Sequence, residues 1–287
     1  MNRGGQDTRC RGFTIVETLI VLVVTSSLLV STILLLGGRQ NKTDFLVGSR
    51  QLRQELQTQM SQVVSGRYTK TNSIQCTRDG ATGAPKIVIG AADSQGKSSD
   101  CIFIGTAILL GAAQAEAEAS PNHTYTSYPL AGLRVNSATL EEASSINEAK
   151  PTAVYVGGSG VSRYKNGLEY YGAKGTIGSI TTFLPASAPF VVYAVVSLNG
   201  NSSINQSVSA PQIDLYPPAI VPAWGSGTND EDNLNNSRPT DPARLYEQVE
   251  LCFASGGTNQ SVLYTLGSAA NGSQVSMDIK NGGTCGW

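Results

Sequence analysis

The sequence predicts an α+β protein in which a long N-terminal α-helix, first hydrophobic and then amphipathic, packs on an antiparallel β-sheet head. Three observations carry that expectation. Residues 13–36 form a 24-residue run whose only charged member is Glu17, the length of a membrane span. Phe45, Leu52, Leu56, Met60 and Val63 then recur at spacings of 7, 4, 4 and 3, which places them on one helical stripe. Beyond residue 67 the apolar residues come in short β-branched or aromatic runs punctuated by Gly, Asn and Pro. The 287 residues are enough to bury a core, and a charged fraction of 14% with 31 Gly favours a β-rich surface of the extracellular kind. A single His leaves no room for a histidine-built metal site, and the near-neutral charge gives no general drive toward nucleic acid.

The first twelve residues carry Arg3, Arg9 and Arg11 against one acid, Asp7, and end at Gly12. A secretory signal peptide would have an apolar core of about 7 to 15 residues and an A-x-A-like cleavage site. Neither is present, so the apolar run is expected to stay in the mature protein. A carboxylate inside such a run costs roughly 2.5 to 3.5 kcal/mol at mid-span and is functional by default. Glu17 therefore needs a partner.

The run RGFTIVETLIVLVV, with Gly12, Phe13 and Glu17 in that order, closely resembles the cleavage and methylation signature of type IV prepilins. The resemblance covers about a tenth of the chain and is specific, because basic leader, Gly, Phe, spaced Glu and apolar span coincide. It implies a pilin fold, cleavage after Gly12 by a membrane prepilin peptidase, and N-methylation of the new amino terminus, Phe13. In that setting the cationic terminus of an incoming subunit meets Glu17 of a neighbour, and the pairing turns two costly buried charges into one satisfied contact that fixes register. The partners implied are other pilin subunits through the N-terminal helix, the peptidase, an inner-membrane assembly platform, and the membrane itself before assembly. The leader would be cytoplasmic and the head outside, first on a single-pass membrane protein and then on an extracellular pilus or pseudopilus. Nucleic acid is not indicated.

The organisation expected is thus a leader at 1–12, a transmembrane and assembly helix at 13–36, an amphipathic continuation at 37–67 and a disulfide-containing β-rich head at 68–287. The continuation holds five basic residues against Asp44 and Glu55, and the head twelve basic against seventeen acidic. Gly37 and Gly38 are expected to interrupt the helix with a melted or kinked segment, since each costs about 1 kcal/mol relative to Ala. Many pilins place a Pro a few residues earlier, where this chain has Leu34.

In the head, strands are expected near 74–78, 86–89, 101–110, 152–156, 161–164, 168–171, 190–198, 245–254, 261–266 and 274–279, forming a mostly meandering sheet. Asn166-Gly167 marks a hairpin turn, because both residues tolerate positive φ. Residues 112–120 read as a short helix or an insert, and 209–242 as a long loop. Removal of the leader takes Cys10 with it and leaves Cys76, Cys101, Cys252 and Cys285, for which three pairings are open. Sequence proximity favours Cys76 with Cys101 and Cys252 with Cys285, closing loops worth roughly 3 to 4 kcal/mol each. The second pairing is similar to the C-terminal disulfide region of many pilins, and the segments VELCFASGGTNQSVLYTLG and VSMDIKNG resemble, weakly, the last strands of minor pilins and pseudopilins.

Apparent catalytic motifs fail on spacing or context. The run GAADSQGKS at 90–98 imitates a phosphate-binding loop, but five residues separate its glycines where the motif has four, and a strand follows instead of a helix. Ser94 and Lys97 match S-x-x-K, which works only on a helix, and His123 has no nucleophile beside it. The acidic run around Asn229, Asp230 and Asp232 offers oxygens suited to calcium, yet lacks the Gly and distant Glu of an EF-hand; a solvated charge run is the stronger reading, and no cofactor is otherwise expected. The function expected is a non-enzymatic structural subunit, a minor pilin or pseudopilin, serving adhesion, motility, DNA uptake or secretion. The competing reading is a membrane-anchored extracellular binding module that never polymerises. A surface hydrolase on the same anchor lacks a catalytic constellation.

Overall fold

The protein is described by a computed structural model over residues 14–66, 74–78, 85–89, 101–110, 123–136, 138–153, 161–185, 190–196, 213–216, 234, 245–267 and 275–286. It is an α+β structure in which antiparallel sheet predominates. In chain order its elements are α1 (Ile15–Ser65), β1 (Ile74–Arg78), β2 (Pro85–Ile89), β3 (Cys101–Leu110), β4 (Thr124–Leu133), α2 (Ile146–Ala149), β5 (Thr152–Ala153), β6 (Val161–Arg163), β7 (Leu168–Ile177), β8 (Ile180–Pro185), β9 (Phe190–Val196), β10 (Ile213–Tyr216), β11 (Gln248–Ser255), β12 (Gln260–Gly267) and β13 (Val275–Asn281).

The helix α1 is 51 residues long. It begins after Thr14, whose Oγ1 accepts the Glu17 N–H at 3.2 Å, and ends at Gly66, which has φ +65° and donates its N–H to Val63 O at 3.1 Å; both are ordinary helix-end chemistry. The melted segment expected at Gly37 and Gly38 is absent, since the helix continues through both. A break would replace a cost of about 1 kcal/mol per Gly by two new helix ends, each leaving four backbone groups without an internal partner.

Two compact units divide the chain, Met1–Asp44 and Phe45–Trp287. The helix contributes residues 15–44 to the first and 45–65 to the second. In the second, Phe45, Leu52, Leu56, Met60 and Val63 are all buried, so the stripe read from the sequence is the helical wall of that unit's core. Two hydrogen bonds tie this part of the helix to the sheet beside it. The Tyr264 hydroxyl donates to Ser49 O at 2.8 Å, and Arg53 Nε donates to Val275 O at 3.0 Å.

Among the described residues the strands form three antiparallel sheets, not one meander. β1 pairs with β2; a six-stranded sheet has the order β10-β9-β3-β4-β5 with β6 also on β4; a five-stranded sheet has the order β13-β12-β11-β7-β8. Among the described residues β11 to β13 run as a meander, as do β3 to β5, while the other neighbours are joined by crossovers or simple pairs. Asn166 and Gly167 do make the expected turn, at φ +59° and +68°, but it is not a hairpin. β6 belongs to the six-stranded sheet and β7 to the five-stranded one, so the turn passes the chain between sheets.

The six-stranded sheet is buried on both faces. Ile108, Leu110, Val192, Ala194, Ile213 and Leu215 join the cluster that holds the α1 stripe and the five-stranded sheet. Ala107, Leu109, Val191, Tyr193 and Val195, alternating with them, join a second cluster with Ile146 and Ala149 of α2. Burial on both faces is why β3 and β9 read as continuous apolar runs.

Three strands and a helix lie outside the expectations. β4 contains Pro129, which demotes a run in a sequence reading. Among the described residues Pro129 falls where β4 is paired on one side, with β3: β6 covers residues 124–126 and β5 covers Leu130 and Ala131 on the other. β8 follows a turn at Gly178, φ +57°, and β10 lies inside the segment read as loop, paired with β9. The short α2 is capped by Ser145, whose hydroxyl accepts Glu148 N–H.

Candidate functional site

The expected assembly site is the N-terminal helix. Gly12 and Phe13 lie outside the described residues. Glu17 occupies the first turn of α1, where a carboxylate complements the positive end of the helix dipole. With Thr14 as N-cap it completes a T-x-x-E spacing, the pattern in which a Glu three residues into the helix assists the cap. That local role went unread in the sequence, although Thr14-Ile15-Val16-Glu17 displays it. The Glu17 side chain is exposed, and among the described residues no cation meets its carboxylate.

Every residue of the candidate span Ile15–Ile33 is exposed, with mean hydropathy 2.1 over 19 residues. At about 1.5 Å per residue this is close to the roughly 30 Å of a bilayer's hydrocarbon. Its hydroxyls are satisfied from within. Thr18 donates to Ile15 O at 2.8 Å, Thr25 to Val21 O at 2.8 Å, Ser27 to Val24 O at 2.9 Å and Ser31 to Ser27 O at 2.9 Å; Ser26 and Thr32 bond likewise to the carbonyls of Leu22 and Leu28. Back-bonded hydroxyls present little unmet polarity. Glu17 is left as the single costly group of the span. The feature is one N-terminal apolar helix, of the kind that serves as an anchor or a signal segment.

Of the four cysteines beyond residue 67, Cys252 on β11 is disulfide-bonded to Cys285, 33 residues on, with Cα atoms 6.0 Å apart. Cys285 takes φ +54° and donates its N–H to Ser261 Oγ at 3.1 Å, which seats the C-terminal turn against β12. Cys101 is also disulfide-bonded; the side chain of its expected partner, Cys76, lies outside the described set. Asn229, Asp230 and Asp232 lie outside it too, as do residues 90–98 with Ser94 and Lys97, and the segment 112–120. Among the described residues no group of three or more His, Cys, Asp and Glu side chains is placed to hold a metal. His123 stands with Nε2 at 3.9 Å from Glu169 Oε1, both half-exposed.

The buried phenols of the core share one electrostatic consequence. Burial pushes the hydroxyls of Tyr125, Tyr164, Tyr170, Tyr216, Tyr246 and Tyr264 above the ordinary tyrosine value, because the phenolate would be desolvated. They are packing groups and uncharged at neutral pH. Compared with protein-family models, with curated proteins and with solved structures, the chain finds no match in any of the three.

Proposed function

We propose that the chain is a non-enzymatic structural subunit, a minor pilin or pseudopilin, of a type IV pilus or related filament. It is cut after Gly12, methylated at Phe13, held in the membrane by its apolar helix and then drawn into a filament with its head outside. The observation that carries this reading is the pairing of an apolar helix exposed from Ile15 to Ile33 with one carboxylate that meets no cation among the described residues. The helix is hydrophobic all round, so its cover must come from outside the chain, from lipid or from like helices. Glu17 then marks where a cationic group must arrive, and the amino terminus of a neighbour's Phe13 is a group of the right charge at the right depth.

One observation favours the second reading, a membrane anchor that never polymerises. The T-x-x-E spacing from Thr14 is that of a capping box, in which a Glu serves its own helix. Two substitutions separate the readings, since Gln serves a capping box as Glu does but carries no charge. With cleavage checked by intact mass, Glu17→Val and Glu17→Gln are followed into sheared filaments. Loss of both from filaments, with membrane insertion and head stability unchanged, is the expected result. Retention of Glu17→Gln with loss of Glu17→Val assigns Glu17 to the cap, and a wild-type chain found only in membranes assigns the protein to the anchor class.

A further inference from the structure

We propose that a polar cleft in the second unit, between residues 45–65 of α1 and the chain around β6, is a binding site for an acidic sugar unit. One wall is helical and offers Gln51, Gln54, Glu55 and Thr58; the other offers Ser162, Arg163 and Lys165, around a cavity of about 440 Å³. That volume lies in the range of small-ligand sites.

The cleft narrows inward to Tyr125 and Tyr164, whose rings stack at 5.3 Å with 18° between planes. The Tyr125 hydroxyl is buried beside the Glu55 carboxylate and the Ser162 hydroxyl that line the opening. The closed end is shaped by Gly48, where a Cβ would stand 2.8 Å from Lys165 O. Glycine lets the turn after β6 approach the helix closely.

The lining selects the ligand class. Arg163 and Lys165 against Glu55 leave one positive charge, and among the described residues neither cation has an ion-pair partner. A carboxylate suits them, above all the two-pronged guanidinium. Glu55 on the opposite wall then requires a donor on the same molecule, and so does Thr58, whose hydroxyl proton is already given to Gln54 O at 2.8 Å. The amides of Gln51 and Gln54 take either role. One carboxylate among several hydroxyls is the chemistry of a uronic-acid-type sugar. A bare phosphate would answer only the cations, and an acidic peptide would bring carboxylates without the hydroxyls.

The test uses the full chain in detergent micelles, titrated calorimetrically with digalacturonate, with maltose as the neutral sugar, with inorganic phosphate and with triaspartate. Digalacturonate is expected to bind at least about tenfold more tightly than each of the other three, and Arg163→Gln combined with Lys165→Gln to remove that preference. No binding of digalacturonate overturns the proposal, as does equal binding of maltose, phosphate or triaspartate. Unchanged affinity in the double variant overturns it as well. Should the double variant not fold, the four wild-type titrations decide alone.

Discussion

Between Ile15 and Ile33, α1 carries apolar side chains on every side and all of them are exposed; from Phe45 to Val63 it carries fewer, and the five on one stripe are buried. Hydrophobicity alone does not make a core within the chain. The later half has polar residues at the intervening positions, so it has one direction in which to pack, into the core that residues of both larger sheets share. The earlier half has no such direction and matches an environment that is apolar all round.

Truncation separates the halves most sharply. Phe45→Ala is expected to cost the second unit about 3 to 5 kcal/mol, whereas Leu22→Ala, equally apolar and more exposed, is expected to leave its denaturation midpoint unchanged. Chemical unfolding of both variants in micelles reads the difference, and a shift for Leu22→Ala would mean that the early half is also a folding element. Next in size is the Cys252–Cys285 bond. Replacing both residues by Ser is expected to cost about 3 to 4 kcal/mol by the chain-entropy relation, again felt only by the half of the helix that the sheet covers.

A smaller effect tests the cross-link at Ser49. Tyr264→Phe removes the hydrogen bond to the helix carbonyl and is expected to cost about 1 kcal/mol. Tyr170→Phe is its counterpart, because the buried Tyr170 hydroxyl has no partner among the described residues; no loss, or a slight gain, is expected. Equal losses for the two would show that the Ser49 bond adds nothing beyond ring packing. The last effect is absent at neutral pH. The six buried phenols have folded values raised above the unfolded one, so stability stays level below about pH 10, the ordinary tyrosine value, and falls above it as the unfolded chain ionises first. Residues 15–33 contain no Tyr, so helicity there is expected to hold while the second unit melts.

The stripe was legible because periodicity is a local property of five named residues. β1, β3 and most of β11 to β13 were legible for the same reason, as runs of strand-forming residues between turn signals. β4 was hidden by Pro129, whose tolerance depends on where β5 and β6 stop pairing, and β10 by four residues too short to stand out from a Pro-rich surround. Sheet membership was illegible throughout. The turn at Asn166-Gly167 has the same sequence whether it joins paired strands or passes between sheets, and only long-range pairing decides. At the site, Glu17 was conspicuous as a charge out of place, while its T-x-x-E relation to Thr14 was masked by the apolar residues around it. The cleft joins positions more than 100 residues apart, which no local pattern can announce.

The bond from Cys285 back to β11 also has a mechanical meaning. β13 is the edge of its sheet, with β12 between it and β11, so a pull on the chain would ordinarily peel β13 and then β12 like a zip. The covalent tie bypasses both strands and joins the last residues directly to the third strand in. Thirty-three residues of separation correspond to roughly 110 Å of extended chain, and that length cannot be paid out under load while the bond is intact. Under reducing conditions the same pull should lengthen the molecule by about that amount before β11 itself gives way, so the cystine acts as a stop on extension as well as a stabiliser at rest.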